Sequence, residues 1–572
     1  MKSRVIGQRC APGRHKMVGW YDPFQLLQTG QRVAISTLLG ENADYRLNEA
    51  VVLGPARIHD RSRTPNGDPK QTIWIDYVAD VGDGWNSTYA VAYQLAQPSI
   101  SLRGLPNDLP RGELLIFGGD EVYPTASRAE YERRLVRPYR FALHKSDPPS
   151  PGVFAIPGNH DWYDSLVSFS RLFCAKDWFA GWQAPQSRSY FAIRLPYGWW
   201  LVGLDMQLQS DIDQAQIDYF EYVSCWEMTP TDRVIVCNAE PYWIYDQLYG
   251  RRDSTYHDKY QHYVRVLDKL FGSRVALLLA GDLHHYRRHE APPAFKPLPG
   301  NSAAHKITAG GGGAFLHPTH RAPVSRLSHG DFRLAASFPS NQRSWWLSFR
   351  DLMFPWWNPW FGVLPAIFYA LFAWNLTTDA GALRSINVHE IVISTLRTFE
   401  SPGAIFWPVI ILASFLLFTD SHRKVYRVVA GLLHGSAHIV AALGLNWVAQ
   451  YWALHLLETS KVVYIKLLSV LFTFIGGYLI GSLIMGVYLL VSFDVWGRHS
   501  NESFSALRIE DWKSFLKIKI DKDGATIYPV GIRRVPHRWR MRRRTDQTRS
   551  WLVPGDQKAT GPELIEEPIH VA

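Results

Sequence analysis

The sequence predicts an α/β domain, then an all-α membrane region, then a small basic tail. Three observations point there. Through residues 50–335, short apolar runs repeatedly end in polar clusters, the pattern of buried strands feeding loops. Between Leu352 and Phe493, four long runs carry no Asp, Glu, Lys or Arg, and each is long enough to cross a bilayer as a helix. Residues 496–572 return to a charged composition with an arginine cluster.

The 572 residues hold 61 Lys+Arg against 51 Asp+Glu, a net charge of +10. Aromatic residues at 14% and charged residues at 20% exclude a disordered chain. Cys10, Cys174, Cys225 and Cys237 are too few and too scattered for a disulfide framework, and no CxxC pair exists for a cysteine-built zinc site. An N-terminal extension, residues 1–49, opens with Lys2, Arg4, Arg9, Arg14, His15 and Lys16 but no apolar run that could serve as a signal-peptide core. The N-terminal portion is therefore expected in the cytoplasm, with reduced cysteines.

Five strand-like runs carry the chemistry. Thr72–Ala79 ends at Asp80 and Asp83; Leu114–Phe117 at Gly118-Gly-Asp120-Glu-Val-Tyr123. Val153–Ile156 ends at Pro157-Gly-Asn159-His160-Asp161. Val234–Cys237 ends at Asn238-Ala-Glu240-Pro241, and Val275–Ala280 at Gly281-Asp282-Leu-His284-His285. Ligands bind beyond the carboxyl ends of strands in such sheets. Five ends delivering Asp, Asn, His and Glu to one edge describe a metal site.

The order D-x-G, GDxxY, GNHD, a strand before Pro, then G-x-x-H resembles the calcineurin-like metallophosphoesterase superfamily, with variants closest to the purple acid phosphatases. The resemblance implies a four-layer αββα sandwich over residues 50–335 and two metal ions bridged by Asp120. It assigns Asp80, Tyr123 and His284 to the first ion, with Asp83 as a rival for Tyr123 because Gly82 stands where many members have His. The second ion takes Asp120 and Asn159. Two family histidines of that ion are missing, and Glu240 and Asp282 stand in or beside their places, a donor set favouring Mn²⁺, Mg²⁺ or Fe over Zn²⁺. His160 matches the family's general acid, with Asp161 placed to orient it or stabilise its charged form.

Weaker features have bland readings. Gly310–Gly313, ahead of His317 and His320, reads as a tight turn rather than a phosphate mouth. His285 and His289 read as surface or supporting residues, and Arg133, Arg134 and Arg137 as a solvated face.

The membrane region, residues 350–495, is expected to hold four helices, from Leu352–Thr378, Ser401–Thr419, Val428–Leu457 and Leu467–Phe493. Pro355, Pro359 and Pro365 shorten the first or make it re-entrant. Trp356, Trp357, Trp360, Trp374 and Trp407 sit near run ends, as interfacial aromatics do. His434, His438, Asn446 and Gln450 are intramembrane polar residues, which suit a pathway or lipid-headgroup site and helix–helix hydrogen bonds equally, without an intramembrane carboxylate or lysine to favour transport. The loop with Arg423, Lys424 and Arg427, and a tail with Arg533, Arg534, Arg538, Arg540, Arg542, Arg543 and Arg544, place both termini and the catalytic domain in the cytoplasm. The tail is expected on anionic lipid headgroups rather than nucleic acid. The expected function is membrane-anchored hydrolysis of a phosphomonoester or phosphodiester, a lipid-linked one included. The rival is a non-hydrolytic metal- or phosphate-binding sensor coupled to the membrane helices.

Overall fold

The computed structural model describes residues 14–572 except 41–56, 145–149, 207–211, 251–252, 294, 296–300, 321–323, 328, 377–382, 384–387, 401, 420–423, 458–461, 542–549 and 557–560. Lys2, Arg4, Arg9, Cys10, Arg423 and Arg542–Arg544 lie outside the described residues. The chain divides into two compact units: Met1–Val18, Thr29–Ser344 and Arg508–Ala572 form one, and Gly19–Gln28 with Trp345–Leu507 the other.

The first unit is built on two mixed sheets. One has eight strands, in the order Ile58–Asp60, Phe191–Arg194, Trp199–Gly203, Arg233–Asn238, Val275–Ala280, His305–Ala309, Tyr286–Glu290 and Arg333–Phe338. The other has nine, with Lys513–Asp521, Ile73–Val78, Leu114–Gly118 and Gly152–Ile156 adjacent at its centre. All five expected strands form. They are shared between the sheets, three in the second and two in the first, rather than lining one edge of one sheet.

Alternation along the strands sorts their side chains onto two faces. Ile75, Tyr77, Leu114, Ile116 and Phe154 of the second sheet share a buried cluster with Ile193, Leu201, Ile235, Leu277 and Ile307 of the first. The opposite face of the second sheet, with Val78, Leu115, Phe117 and Val153, packs on Trp85 and Tyr89 of the helix Trp85–Ala96. The opposite face of the first, with Val202, Val234, Val236 and Leu278, packs on Phe220, Leu267 and Leu270 of the helices Gln214–Tyr222 and Ser254–Phe271.

The C-terminal segment departs from expectation. Residues 496–572 do not form a tail of their own: Lys513–Asp521 and Gly524–Ile532 join the second sheet, the former antiparallel to Ile73–Val78. Its basic residues are partly engaged there, Arg533 with Glu563, and Arg538 4.0 Å from Asp556. Apolar alternation drives the insertion. Phe515 faces the outer cluster, while Leu516, Ile518 and Ile520 face the cluster between the sheets.

Among the described residues of the second unit, two helices are long and apolar enough to cross a membrane, Lys424–Leu457 and Val462–Trp496, where four were expected. Val388–Arg397 and Pro402–Phe418 are bent by 96° at their junction and make a third span at most, and Val363–Asn375 has 13 residues. The proline-bearing segment Phe354–Gly362 breaks up the first expected run before that helix begins. The two long helices are polar and small-residued inside, apolar outside. Gly431, Gly435, His438, Asn446, Thr473, Gly477 and Ser482 are buried, whereas Leu433, Val440, Val448, Leu467, Leu471, Ile475 and Leu479 are exposed. That inversion suits lipid, where close packing of small residues replaces the hydrophobic effect. The Tyr369 hydroxyl meets His438 Nδ1 at 2.8 Å, a bond between two helices, while His438 Nε2 meets His434 Nε2 at 3.3 Å within the helix Lys424–Leu457.

Candidate metal centre

The carboxyl ends of the two sheets meet. Gly281 N–H donates to the Ala239 carbonyl at 2.9 Å within the first sheet's loops, and Asp282 N–H donates to Asp80 Oδ2 at 2.8 Å across to the second. Asp80 follows Ile73–Val78, Asp120 follows Leu114–Gly118, Asp282 and His284 follow Val275–Ala280. All four have positive φ, at 56°, 55°, 69° and 45°. Left-handed backbone is uncommon outside glycine and clusters where a loop must aim a side chain.

Tyr123 is the hub. Its hydroxyl lies 3.1 Å from Asp80 Oδ1, 3.0 Å from Asp120 Oδ2 and 2.8 Å from His284 Nε2. His284 Nδ1 meets the Phe315 carbonyl at 2.8 Å, so that nitrogen carries the proton and Nε2 faces the hub with its lone pair. The rival Asp83 uses one oxygen to accept from Val18 N–H at 2.8 Å and to approach Arg134 at 3.7 Å, while its other oxygen is buried without a hydrogen-bond partner. Arg134 is accordingly buried, not part of a solvated face, and donates to the Asp83 carbonyl at 2.7 Å. Gly82 has a steric reason to lack the family histidine, because a Cβ there would stand 2.1 Å from the Glu121 carbonyl oxygen.

The glycine run Gly310–Gly313 packs tightly on the Asp80 loop. A Cβ at Gly310 would lie 2.0 Å from Asp80 Oδ2, and Gly312 N–H and Ala314 N–H donate at 2.9 Å to the carbonyls of Ala79 and Asp80. The run backs the Asp80 loop. His317 stacks on His284 at 3.9 Å between ring centroids. His285 and His289 are buried, not at the surface, and His289 Nε2 bonds the Val324 carbonyl at 2.6 Å.

On the GNHD loop, His160 N–H donates to Asp120 Oδ1 at 3.0 Å, which ties the loop to the centre. His160 Nδ1 lies 2.7 Å from the Pro124 carbonyl, and its ring packs 4.4 Å from that of Tyr123. Asp161 favours the charged form of His160 through its own charge, and it also braces the loop. Its carboxylate accepts from Gly158 N–H at 2.9 Å, from Glu121 N–H at 3.1 Å and from the Tyr131 hydroxyl, so it holds the loop, while Pro124 orients the imidazole. Asn159 is exposed at the start of the short helix Asn159–Trp162. Glu240 is half-buried, and its carbonyl accepts from Asn238 Nδ2. The supporting roles of Tyr131 and Pro124 had no sequence signal, since neither belongs to a chemically suggestive spacing.

The electrostatics call for a cation. Burial, then the charges of Asp120 and Asp282, pushes Asp80 well above the ordinary carboxylate range. Burial, then Glu240 and Asp120, does the same to Asp282. Burial raises Asp120 to about 6, against the opposing hydrogen bonds of His160 N–H and Tyr123. Burial raises Glu240 to about 7, Lys259 opposing and Asp120 adding. Burial and neighbouring positive groups depress His284, leaving a neutral imidazole. Like-charged oxygens thus crowd a water-poor site beside a neutral nitrogen donor. That donor set fits hard divalent or trivalent ions, which would supply the missing positive charge.

No protein-family model matches the chain, and no curated protein matches it. Solved structures do. They include GAP50, the anchor in the inner membrane complex of Plasmodium, at 14% identity and a TM-score of 0.30, covering 46% of this chain and 78% of that one. PhoD matches at 9% identity and a TM-score of 0.30, covering 47% of this chain and 62% of PhoD. The purple acid phosphatase PPD1 of yellow lupin (Lupinus luteus) seeds matches at 14% identity and a TM-score of 0.28, over 44% of this chain and 46% of the enzyme.

Proposed function

We propose that this chain is a membrane-anchored, metal-dependent phosphoesterase with a four-layer αββα catalytic unit. Asp80, Asp120, Tyr123 and His284 would hold one ion, and Asp120, Asn159, Glu240 and Asp282 a second. The observation that carries the reading is the convergence of buried carboxylates, a tyrosine and a neutral histidine from two sheets, with Asp80, Asp120 and His284 on left-handed backbone. When bound, two such ions lower the pKa of a water and neutralise phosphate oxygens.

The chain's own residues do the rest. The Pro124 carbonyl accepts the Nδ1–H of His160, so Nε2 is the nitrogen that exchanges a proton with the reacting group; it donates to the leaving alkoxide only from the imidazolium form, which burial opposes and the charge of Asp161 favours. Asp161 and Tyr131 keep that loop from swinging, and His160 N–H keeps Asp120 in register with it. The two long apolar helices anchor the enzyme, and an anchor favours a substrate at the membrane surface, such as a lipid-linked phosphoester. The catalytic unit and both termini face the cytoplasm in this reading.

The test uses detergent-purified full chain, stripped of metal and assayed on p-nitrophenyl phosphate and bis-p-nitrophenyl phosphate with Mn²⁺, Mg²⁺, Fe²⁺ or Zn²⁺ added singly. Metal-dependent turnover that Asp120→Asn abolishes supports the enzyme and ranks monoester against diester chemistry. Stoichiometric metal binding without turnover under any ion sinks it and leaves the sensor.

A further inference from the structure

A second carboxylate–imidazole group lies outside the candidate centre. Asp246 starts the segment Asp246–Gly250, six residues beyond Glu240; His257 lies on the helix Ser254–Phe271; His329 comes from the loop ahead of Arg333–Phe338. His257 Nδ1 is 2.9 Å from one Asp246 oxygen, and His329 Nε2 is 2.9 Å from the other. Among the described residues, this is the group of three His, Cys, Asp or Glu side chains whose ligand atoms all lie within 4.8 Å of one another.

We propose that Asp246, His257 and His329 bind a divalent transition-metal ion, zinc by preference, at a site separate from the phosphoesterase centre. Three features argue for it. The ligands come from three segments, so an ion would cross-link them. Around tetrahedral zinc, with metal–ligand bonds of about 2.0–2.1 Å, neighbouring ligand atoms stand about 3.3 Å apart; here one ligand atom from each residue already lies within 4.8 Å of the others, and each histidine approaches its own Asp246 oxygen at 2.9 Å, so side-chain rotation would close the set on one ion. Two imidazole nitrogens and one carboxylate oxygen suit zinc or cobalt rather than calcium or magnesium.

The site also has room for a fourth ligand. The Asp246 side chain is 5% exposed, but those of His257 and His329 are 44% and 34% exposed, so water can complete the shell. The ion's position gives it a structural consequence. It would pin the segment that follows Glu240 to the helix Ser254–Phe271 and so fix the loop that carries Glu240.

The experiment uses metal-stripped full chain in detergent. Bound zinc is counted by equilibrium dialysis for wild type, Asp120→Asn and His257→Gln/His329→Gln. Expected is one fewer zinc per chain in the double variant than in wild type, and the same one-ion loss when the double variant is placed on Asp120→Asn. Equal zinc content with and without the two histidines overturns the site. A readout on unaltered protein guards against misfolding: diethyl pyrocarbonate modification of His257 and His329, read by mass spectrometry with and without zinc. Zinc should slow both at least tenfold, and unchanged rates overturn the proposal. Neither readout depends on hydrolysis, so this site can fail while the phosphoesterase stands, and the reverse.

Discussion

Replacing Lys517 with Met should destabilise the sheet-built unit by about 3–5 kcal/mol, the usual cost of stranding one partner of a buried ion pair. Lys517 and Asp76 stand opposite each other on adjacent strands, 2.5 Å apart, with side chains 1% and 3% exposed. At an effective dielectric near 20 the pair attracts by about 7 kcal/mol. Without Lys517, Asp76 keeps its hydrogen bond from Gly112 N–H at 2.9 Å, which limits the loss. The second variant, Asp76→Leu/Lys517→Met, removes both charges and should return to within about 1 kcal/mol of wild type or exceed it, since buried pairs often replace neutrally by apolar side chains. The assay is urea unfolding of detergent-purified full chain, followed by pulse proteolysis of the sheet-built unit. A single-variant cost below about 1 kcal/mol would mean that Lys513–Asp521 does not pair with Ile73–Val78, and the reasoning would fall.

Gly82→Ala should cut metal-dependent turnover at least tenfold, read as kcat on the better nitrophenyl substrate, because its Cβ would press on the Glu121 carbonyl between Asp120 and Tyr123. Lys306 is buried, and burial lowers its pKa from 10.5 to about 7. The unfolded chain therefore holds the extra proton between pH 7 and 10, so wild-type stability rises with pH across that window. Lys306→Met should accordingly stabilise the protein, with a gain about 2 kcal/mol smaller at pH 9 than at pH 7; a pH-independent gain in urea midpoints would show that Lys306 stays charged. In sealed vesicles, Asn66→Cys and Asp523→Cys, each in a Cys225→Ser background, should react with an impermeant maleimide from the same side. Labelling from opposite sides would contradict the shared sheet.

What was legible in the sequence follows from what is local. Each candidate ligand lies within a few residues of an apolar strand, so Asp80, Asp120, Asn159, Glu240 and Asp282 could be placed by punctuation alone. Partnerships between distant segments had no such signal. Lys517 and Asp76 are 441 positions apart, and nothing near either names the other. The same holds for Asp83, one oxygen of which meets Val18 and Arg134, and for Gly82, excluded from bearing a side chain by a carbonyl on a neighbouring loop. Apolar runs overstated the membrane helices because composition counts residues, whereas a span needs an unbroken helix. Among the described residues, prolines and a sharp bend leave two helices long enough.

The strand pairing also constrains how the chain can cross a bilayer. Residues 73–78 and 513–521 are hydrogen-bonded partners in one sheet, so they lie on one side of any membrane. The chain between Ser344 and Arg508 must then cross an even number of times. Lys424–Leu457 and Val462–Trp496 satisfy that as a pair. Pro402–Phe418 cannot be a lone third crossing. Either it enters and leaves the same face with Val388–Arg397, for which a 96° bend is suited, or it crosses together with Val363–Asn375, which at 13 residues and 1.5 Å per residue spans only about 20 Å of a core about 30 Å thick. Length therefore favours two crossings and a re-entrant pair. An insertion of that kind leaves both sheets whole on one face of the membrane, because the strands on either side of it still pair.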